Sequence, residues 1–371
     1  MTLPTAIKII ESIGIALPLR KPLHSFAGLK TSSRSLLVRV ETSNGLIDWG
    51  EAGESMTMTG ETLASMKSVI DEHLAPRLLG KNALDRVALM LSCAREIRGN
   101  GAARSAVEMA LLDLAGRHYG VPAVELLGGA YRGGLSPIWF VGTGSLKGDL
   151  DEAVAQQARG YASFKMKAAI EPLANDIERL RELRRAIGPQ AKLSVDANMG
   201  WDVASASRFV RAVEELDLEF VEQPVDSHDL PGMAAVARAS TVPIGADEGI
   251  HGHNEVLAHA RAGAASGVSV KSVKAGGIAE ATRVAAIADT AGLAVLVASL
   301  IESSVGTAAT LHLACALPQL SWGVSLTNHY HVDDIAEEPM ALDAGGTMHL
   351  RARPGLGVEV MPAKVEQFRL S

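Results

Sequence analysis

From about residue 135 the chain settles into short apolar runs separated by longer amphipathic stretches. The runs are SPIWFVGTG, SFKMKA, LSVDAN, LEFVEQP, VPIGADE, VSVKSVK, LAVLVAS and WGVSL; between them lie helix-like segments such as EPLANDIERLRELRRAIG and VASASRFVRAVEELD. Eight strand-like runs alternating with helical ones predict an α/β fold built on a closed parallel (β/α)8 TIM barrel, because parallel strands need a crossover between them. A doubly wound open sheet is the competing architecture, but no Gly-rich phosphate turn follows the first run.

The preceding residues are patterned differently. IKIIESIGIALPL and SRSLLVRVETSNGLIDWGEA read as antiparallel strands around a turn at Asn44 and Gly45. ETLASMKSVIDEHLAPRLL and GAARSAVEMALLDLAGRHYG repeat their apolar residues at helical spacing, and Gly120 offers a stop. HSFAGLKTSS and ESMTMTGE read as polar loops, places where specificity tends to reside. The tail HLRARPGLGVEVMPAKVEQF returns to a Gly/Pro turn and a strand-like run, and is expected to pack back onto the first module. The expected division is a cap over 1–130, a barrel over 131–345 and a C-terminal segment over 346–371 that rejoins the cap.

Composition narrows the function classes. With 371 residues, 47% of them hydrophobic, the chain can bury a large core. No apolar stretch is long enough for a membrane span, and MTLPTAIKIIESIGIALPLRK mixes charge into its apolar residues, so a cytoplasmic protein is expected. A net charge of −7 without a basic run, and 4% aromatic content, argue against nucleic acid or anionic membrane as partners. Cys93 and Cys315 read as two buried thiols rather than a disulfide.

The ionisable residues of the barrel runs carry the chemistry. Asp196 ends the third run, Glu222 the fourth and Asp247 the fifth, at nearly equal spacing. The C-terminal strand ends of a barrel converge on one mouth, so three carboxylates meet there; in a partly dry pocket they need a cation among them. Hard oxygen ligands select Mg²⁺, or Mn²⁺, over zinc. On the second run, Lys165 and Lys167 leave the same face of a strand, and Lys271 on the sixth run sits across the barrel from them. Crowding is expected to lower the Lys167 pKa into a range useful for a base, while Lys165 stays charged and stabilises an enolate. Lys271 faces the other side of the substrate α-carbon. Lys274, three residues on, is expected to face away and snorkel to the rim. Asn198 either orients the Asp196 ligand or is a turn residue, and Glu248 is a candidate partner for Lys271.

FKMK, VDANMGW, FVEQPV, GADE, VSVKSVKAGGI, IESSVGTAA and PGLGVEV, with SAVEMALLDLAGRHYGVPAVELLGG before the barrel, resemble the enolase superfamily, specifically its muconate lactonizing enzyme subgroup. The resemblance runs over nearly the whole chain. It implies a modified (β/α)8 barrel under an α+β capping domain formed from both termini, Mg²⁺ on Asp196, Glu222 and Asp247, and Lys167 and Lys271 as acid/base residues. A mandelate racemase-type member would instead use an Asp-His pair; here the sixth run bears Lys271 and the seventh ends in VASLIESS without histidine. His312 reads as packing. Glu302 reads as structural or as tuning a lysine.

Departures bear on substrate. Relatives that handle muconate or dipeptides tend to carry a carboxylate after the eighth strand, where this chain has Ser325, Thr327, Asn328 and His329; Asp333 and Asp334 would substitute only if their loop folds inward. Trp322 reads as core. From the cap, His24, Phe26, Lys30, Met56 and Met58 are candidate lid contacts. The expected function is Mg²⁺-assisted removal of the proton α to the carboxylate of a small, amino-acid-like substrate, through an enediolate, giving racemisation or epimerisation. Cycloisomerisation and syn-dehydration start from the same intermediate, and a non-catalytic binding protein on this scaffold is the remote alternative. Barrels of this kind often associate, so a homo-oligomer is expected.

Overall fold

The computed structural model describes residues 3–25, 28–143 and 145–370. Strands β1 (Ile7–Ser25), β2 (Gly28–Thr42) and β3 (Ile47–Gly53) form an antiparallel meander in the order β1-β2-β3. The Asn44–Gly45 turn joins β2 to β3: Gly45 takes a φ of 85° and its N–H donates to the Thr42 carbonyl. HSFAGLKTSS departs from the loop expectation, because β1 runs to Ser25 and β2 starts at Gly28. ESMTMTGE folds as a turn held by a bridge between Ser55 and Glu61.

The Ala-rich helix Gly101–Tyr119 lies on this sheet and ends at Gly120, as its pattern predicts. Its small side chains permit close approach. A Cβ on Gly50 of β3 would collide with the Ala106 carbonyl, so glycine is required where sheet and helix touch. The helix Arg86–Glu96 is not marked by the periodicity: Val87, Ala88, Leu89, Met90 and Leu91 run consecutively, so no apolar stripe stands out, and only Arg86, Met90 and Cys93 are buried.

β4 (Gly134–Leu135) precedes the barrel proper. β5 (Trp139–Val141), β6 (Ser163–Lys167), β7 (Lys192–Asp196), β8 (Val221–Glu222), β9 (Ile244–Ala246), β10 (Gly267–Val270), β11 (Ala294–Ala298) and β12 (Val324–Ser325) form one parallel sheet in sequence order. The ring closes where the Ile138 N–H donates to the Val324 carbonyl at 2.9 Å and Pro137 bridges Val324.

Period-two alternation sorts the strand residues. Phe164, Met166, Leu193, Val195 and Val221 face the surrounding helices and join the main core, whereas Lys165, Lys167, Asp196 and Glu222 face the interior. Trp322 plugs the interior below them, stacked on Phe220 with centroids 4.2 Å apart, beside Ile138 and Leu296. A Cβ on Gly267 would enter the Trp322 ring, so this strand begins with glycine.

The tail does not form the expected strand over GVEV. β13 (Met348–His349) pairs with β4, and the helix Pro362–Phe368 follows. The tail packs back onto the first module: the Leu356 N–H donates to Asp113 Oδ1 at 2.7 Å, the Ala123 N–H to the Gly355 carbonyl at 2.7 Å, and the Leu370 N–H to the Gly14 carbonyl of the cap sheet at 2.8 Å. Both cysteines are buried free thiols. Among the described residues no helix is long and apolar enough to cross a membrane.

Candidate active site

A cavity of 310 Å³ opens at the C-terminal ends of the barrel strands, beneath the cap. Lys165, Lys167, Asp196, Asn198, Glu222, Asp247, Glu248 and Lys271 all line it. The sheet register explains the convergence: Lys167 is the partner of Asp196, Asp196 of Glu222, and Glu222 of Gly245, two residues before Asp247.

Each carboxylate is paired with an amine. Lys165 Nζ lies 2.5 Å from Glu222 Oε2, and Ser269 Oγ donates to the other oxygen of Glu222. Lys167 Nζ donates to Asp196 Oδ2 at 2.6 Å and to Asn198 Oδ1 at 2.9 Å. Lys271 Nζ lies 2.5 Å from Asp247 Oδ2. Lys165 and Lys167 both sit over the Phe140 ring, at 5.6 and 5.2 Å from its centroid, which supplies a weak cation attraction beneath the like charges.

Lys274 corrects the sequence expectation. It is buried and donates to Asp247 Oδ1 at 2.6 Å and to the carbonyls of Ser269 and Asp247. β10 stops at Val270 and a short helix, Ser272–Ala275, begins at once. The spacing from Lys271 to Lys274 is therefore one helical turn rather than three strand positions, and both ammoniums reach the same carboxylate.

Glu248 does not pair with Lys271. It accepts from Asn198 Nδ2 at 2.9 Å, and among the described residues its Oε2 has no hydrogen-bond partner. Burial, then repulsion from Asp247 and Asp196, pushes its carboxyl up to about 8. Lys165, Lys167 and Lys271 line the cavity with Asp196, Glu222, Asp247 and Glu248, and Lys274 reaches Asp247 from behind it.

The expected fall in the Lys167 pKa is not found in this arrangement. Burial lowers it, but the Asp196 carboxylate more than offsets that and holds the ammonium above its ordinary value. Lys271 behaves alike: burial lowers it, and Asp247 with Glu222 raises it further. Lys274 is depressed, because burial outweighs its share of Asp247.

Among the described residues, no three His, Cys, Asp or Glu side chains stand together as a ready metal cluster; the carboxylates are turned onto the lysines. The donor set nevertheless fits a hard divalent cation. Asp196, Glu222 and Asp247 supply carboxylate oxygens from adjacent strands, and the unpartnered Glu248 oxygen lies in the same wall.

Gln223 escaped the sequence reading. Its Oε1 accepts from the N–H groups of Asp247 and Gly249 at 2.9 and 3.2 Å, and its Nε2 donates to Val225, so it ties the β8 end to the β9 end. Gln223, Asn198 and Met199 all hold positive φ beside the cavity. The only prior signal was a polar residue next to Glu222 in FVEQP.

Of the candidate substrate contacts, Lys30, Met58 and Ser325 line the cavity, and Lys271 Nζ lies 3.4 Å from the Met58 sulfur. Burial and then Lys167 lower the Lys30 pKa. Ser32, Ser33, Ser55 and Thr57 join them from the same two cap stretches, HSFAGLKTSS and ESMTMTGE, and Arg34 follows the first of these. Met56 is 68% exposed and outside the cavity. Thr327 is buried behind it, donating to the Leu300 carbonyl, while Asn328 and His329 line a different chamber. The His24 side chain and Phe26 lie outside the described residues. Asp333 pairs with Lys364, and Asp334 caps the helix Ser304–Ala316 through Ser304, so neither substitutes for the missing carboxylate. His312 accepts from the Val124 N–H and packs.

Glu302 is buried near Glu51, outside the cavity lining, and its Oε2 is unpartnered among the described residues. Burial and then Glu51 raise its carboxyl to about 8 from 4.5. The unfolded chain ionises this group near 4.5, so it costs stability as pH rises from there to about 8. Glu302→Gln is therefore expected to match the parent protein near pH 5 and to exceed it by roughly 2–4 kcal/mol near pH 8. Urea unfolding at the two pH values measures the difference; a gap that does not change with pH contradicts the assignment.

Residues 10–128 match the mandelate racemase / muconate lactonizing enzyme N-terminal domain, and residues 149–364 the enolase C-terminal domain-like family. The chain belongs to the mandelate racemase / muconate lactonizing enzyme family of the enolase superfamily, and its matched relatives are isomerases. It is similar to the L-Ala-D/L-Glu epimerase of Bacillus subtilis, with 32% identity over 94% of this chain and 95% of that one. The crystal structure of muconate lactonizing enzyme from Pseudomonas fluorescens, complexed with muconolactone, superposes with a TM-score of 0.96 at 32% identity, covering 99% of this chain and 100% of that one. The N-succinyl Arg/Lys racemase of Bacillus cereus gives 0.94 at 28% identity, covering 99% and 98%.

Proposed function

We propose that this protein is a Mg²⁺-dependent racemase or epimerase of a small, amino-acid-like carboxylate, working through α-proton removal and an enediolate. One observation carries the reading. Lys167 ends β6 and Lys271 follows β10, four places apart in an eight-stranded ring, so their ammonium groups enter one cavity from opposite sides. A base on each face of an α-carbon is what inversion requires.

Asp196, Glu222 and Asp247 would hold the cation, which supplies charge stabilisation to the carboxylate oxygens as the α-proton leaves. Asp196 and Asp247, once committed to a cation, no longer hold the protons of Lys167 and Lys271 so firmly. Burial then dominates and lowers both lysines toward the working range. Lys165 stays with Glu222 beneath the substrate carboxylate and adds positive charge there. Asn198 keeps Lys167, Asp196 and Glu248 in register.

The muconate relative supports a second reading, lactonisation, which needs the same proton-handling groups. The test separates them. In D₂O with Mg²⁺, dipeptides, N-succinyl amino acids and cis,cis-muconate are incubated with the enzyme and followed by proton NMR and chiral chromatography. Solvent deuterium at the α-carbon with inversion is expected, together with its loss on EDTA treatment and return with Mg²⁺. Ring closure of muconate without exchange supports lactonisation, and turnover unaffected by EDTA overturns the metal assignment.

A further inference from the structure

A second chamber, of 720 Å³, shares Leu23, Phe140 and Gly142 with the lysine cavity but contains none of its lysines or carboxylates. Its walls include flat rings in series. Trp139 stacks on His329 with centroids 5.0 Å apart and planes 24° from parallel, and Tyr330 stacks on Phe140 at 5.9 Å and 5°.

The charges are unevenly satisfied. The acids of the chamber are taken: Glu152 pairs with Lys21, Asp333 with Lys364, and Asp334 accepts from Ser304. The guanidiniums are not. Arg20 Nε donates to the His329 carbonyl at 3.2 Å and Arg159 to Gln156 Oε1 at 3.1 Å; among the described residues neither forms an ion pair with a carboxylate. Two exposed guanidiniums without a carboxylate partner therefore border a chamber in which Glu152 and Asp333 are ion-paired and Asp334 is held by hydrogen bonds from Ser304 and Ala336.

Unpartnered polar atoms reinforce the picture. Among the described residues, Trp139 Nε1, both ring nitrogens of His329 and Asn328 Oδ1 are buried without a hydrogen bond, in side chains that line this chamber. Trp139 is 7% and Asn328 5% exposed, so solvent does not readily serve them. A neutral imidazole carries one N–H, and the indole carries another: these are donors awaiting an acceptor. Buried polar groups left unmatched on this scale call for a missing partner. Donors, free guanidiniums and flat walls together define its chemistry.

We propose that this chamber is a second small-molecule site, distinct from the lysine cavity, for a planar aromatic carboxylate. The carboxylate meets Arg159 and Arg20, the ring lies along the aromatic wall, and a ring hydroxyl is matched by Asn328 Oδ1. The experiment is a calorimetric titration of the full-length protein with 4-hydroxybenzoate, 4-hydroxybenzamide and cyclohexanecarboxylate. One equivalent of 4-hydroxybenzoate is expected to bind, at least tenfold more tightly than either comparison compound. Arg159→Gln, at an exposed position, is expected to weaken it tenfold or more, and His329→Leu to weaken it as well, whereas Lys271→Met leaves it unchanged. Binding lost in Lys271→Met assigns the ligand to the lysine cavity and overturns the proposal. So does equal binding of all three compounds, or no heat at millimolar 4-hydroxybenzoate.

Discussion

Lys271→Met is expected to abolish racemisation while leaving α-deuterium exchange intact for one enantiomer of the substrate. The enantiomer whose α-proton faces Lys167 still meets a base, loses its proton and recovers deuterium from the same side. The opposite enantiomer meets a thioether and exchanges slower by roughly 10³–10⁵-fold, the range for removing a positioned general base whose geometry is fixed. Methionine preserves length and apolar volume, and Asp247 keeps a cationic partner in Lys274, 2.6 Å away, so the fold has reason to survive. Lys167→Met is expected to show the mirror pattern. Proton NMR in D₂O on each pure enantiomer reads both rates. Equal loss for the two enantiomers in either variant defeats the two-base arrangement, and continued inversion in Lys271→Met removes Lys271 from the chemistry.

The barrel was legible because its strands alternate outward apolar residues with inward functional ones, and because parallel strands deliver their C-terminal residues to one mouth. Those two regularities place Lys165 with Lys167 and align Asp196 with Glu222 in neighbouring register. They fail where the period changes. Lys274 looked like an outward strand residue, yet the backbone becomes helical after Val270 and turns it onto Asp247. For Lys167 the sequence shows one side of the balance: repulsion from Lys165 is visible in FKMK, while the attraction of Asp196 depends on a distance that only the folded sheet fixes. The substrate contacts were the least legible. Thr327, Asn328 and His329 follow the last barrel strand without alternation, and their side chains point where the local turn sends them: Thr327 behind the wall and the other two to the second chamber. Gln223 acts through hydrogen bonds to backbone N–H groups from the next strand's end, a contact that leaves no periodic trace.

Asp247→Asn is expected to be the most destabilising single replacement in the cavity, at roughly 3–5 kcal/mol, as well as eliminating activity. Asp247 is 1% exposed and neutralises two ammoniums at once, Lys271 and Lys274. Burial alone would raise its carboxyl, and the two lysines hold it well below the usual range instead, which measures how much of its charge they use. Asparagine keeps the shape and removes the charge, leaving two buried cations with only carbonyl and thioether contacts. Asp196→Asn is expected to cost less, because the Lys167 side chain retains 19% exposure and keeps Asn198 as a partner. The pH dependence separates this electrostatic account from a packing defect. Lys274 is already depressed by burial, and loss of Asp247 depresses it further, so the unfolded state binds more protons than the folded one below the ordinary lysine range. Stability of Asp247→Asn should therefore climb toward the parent value as pH rises from 7 to 10, the lysine shedding its proton in the fold. Urea unfolding of both proteins without added metal gives the comparison, and a deficit that stays constant across that interval rules out buried charge as its origin.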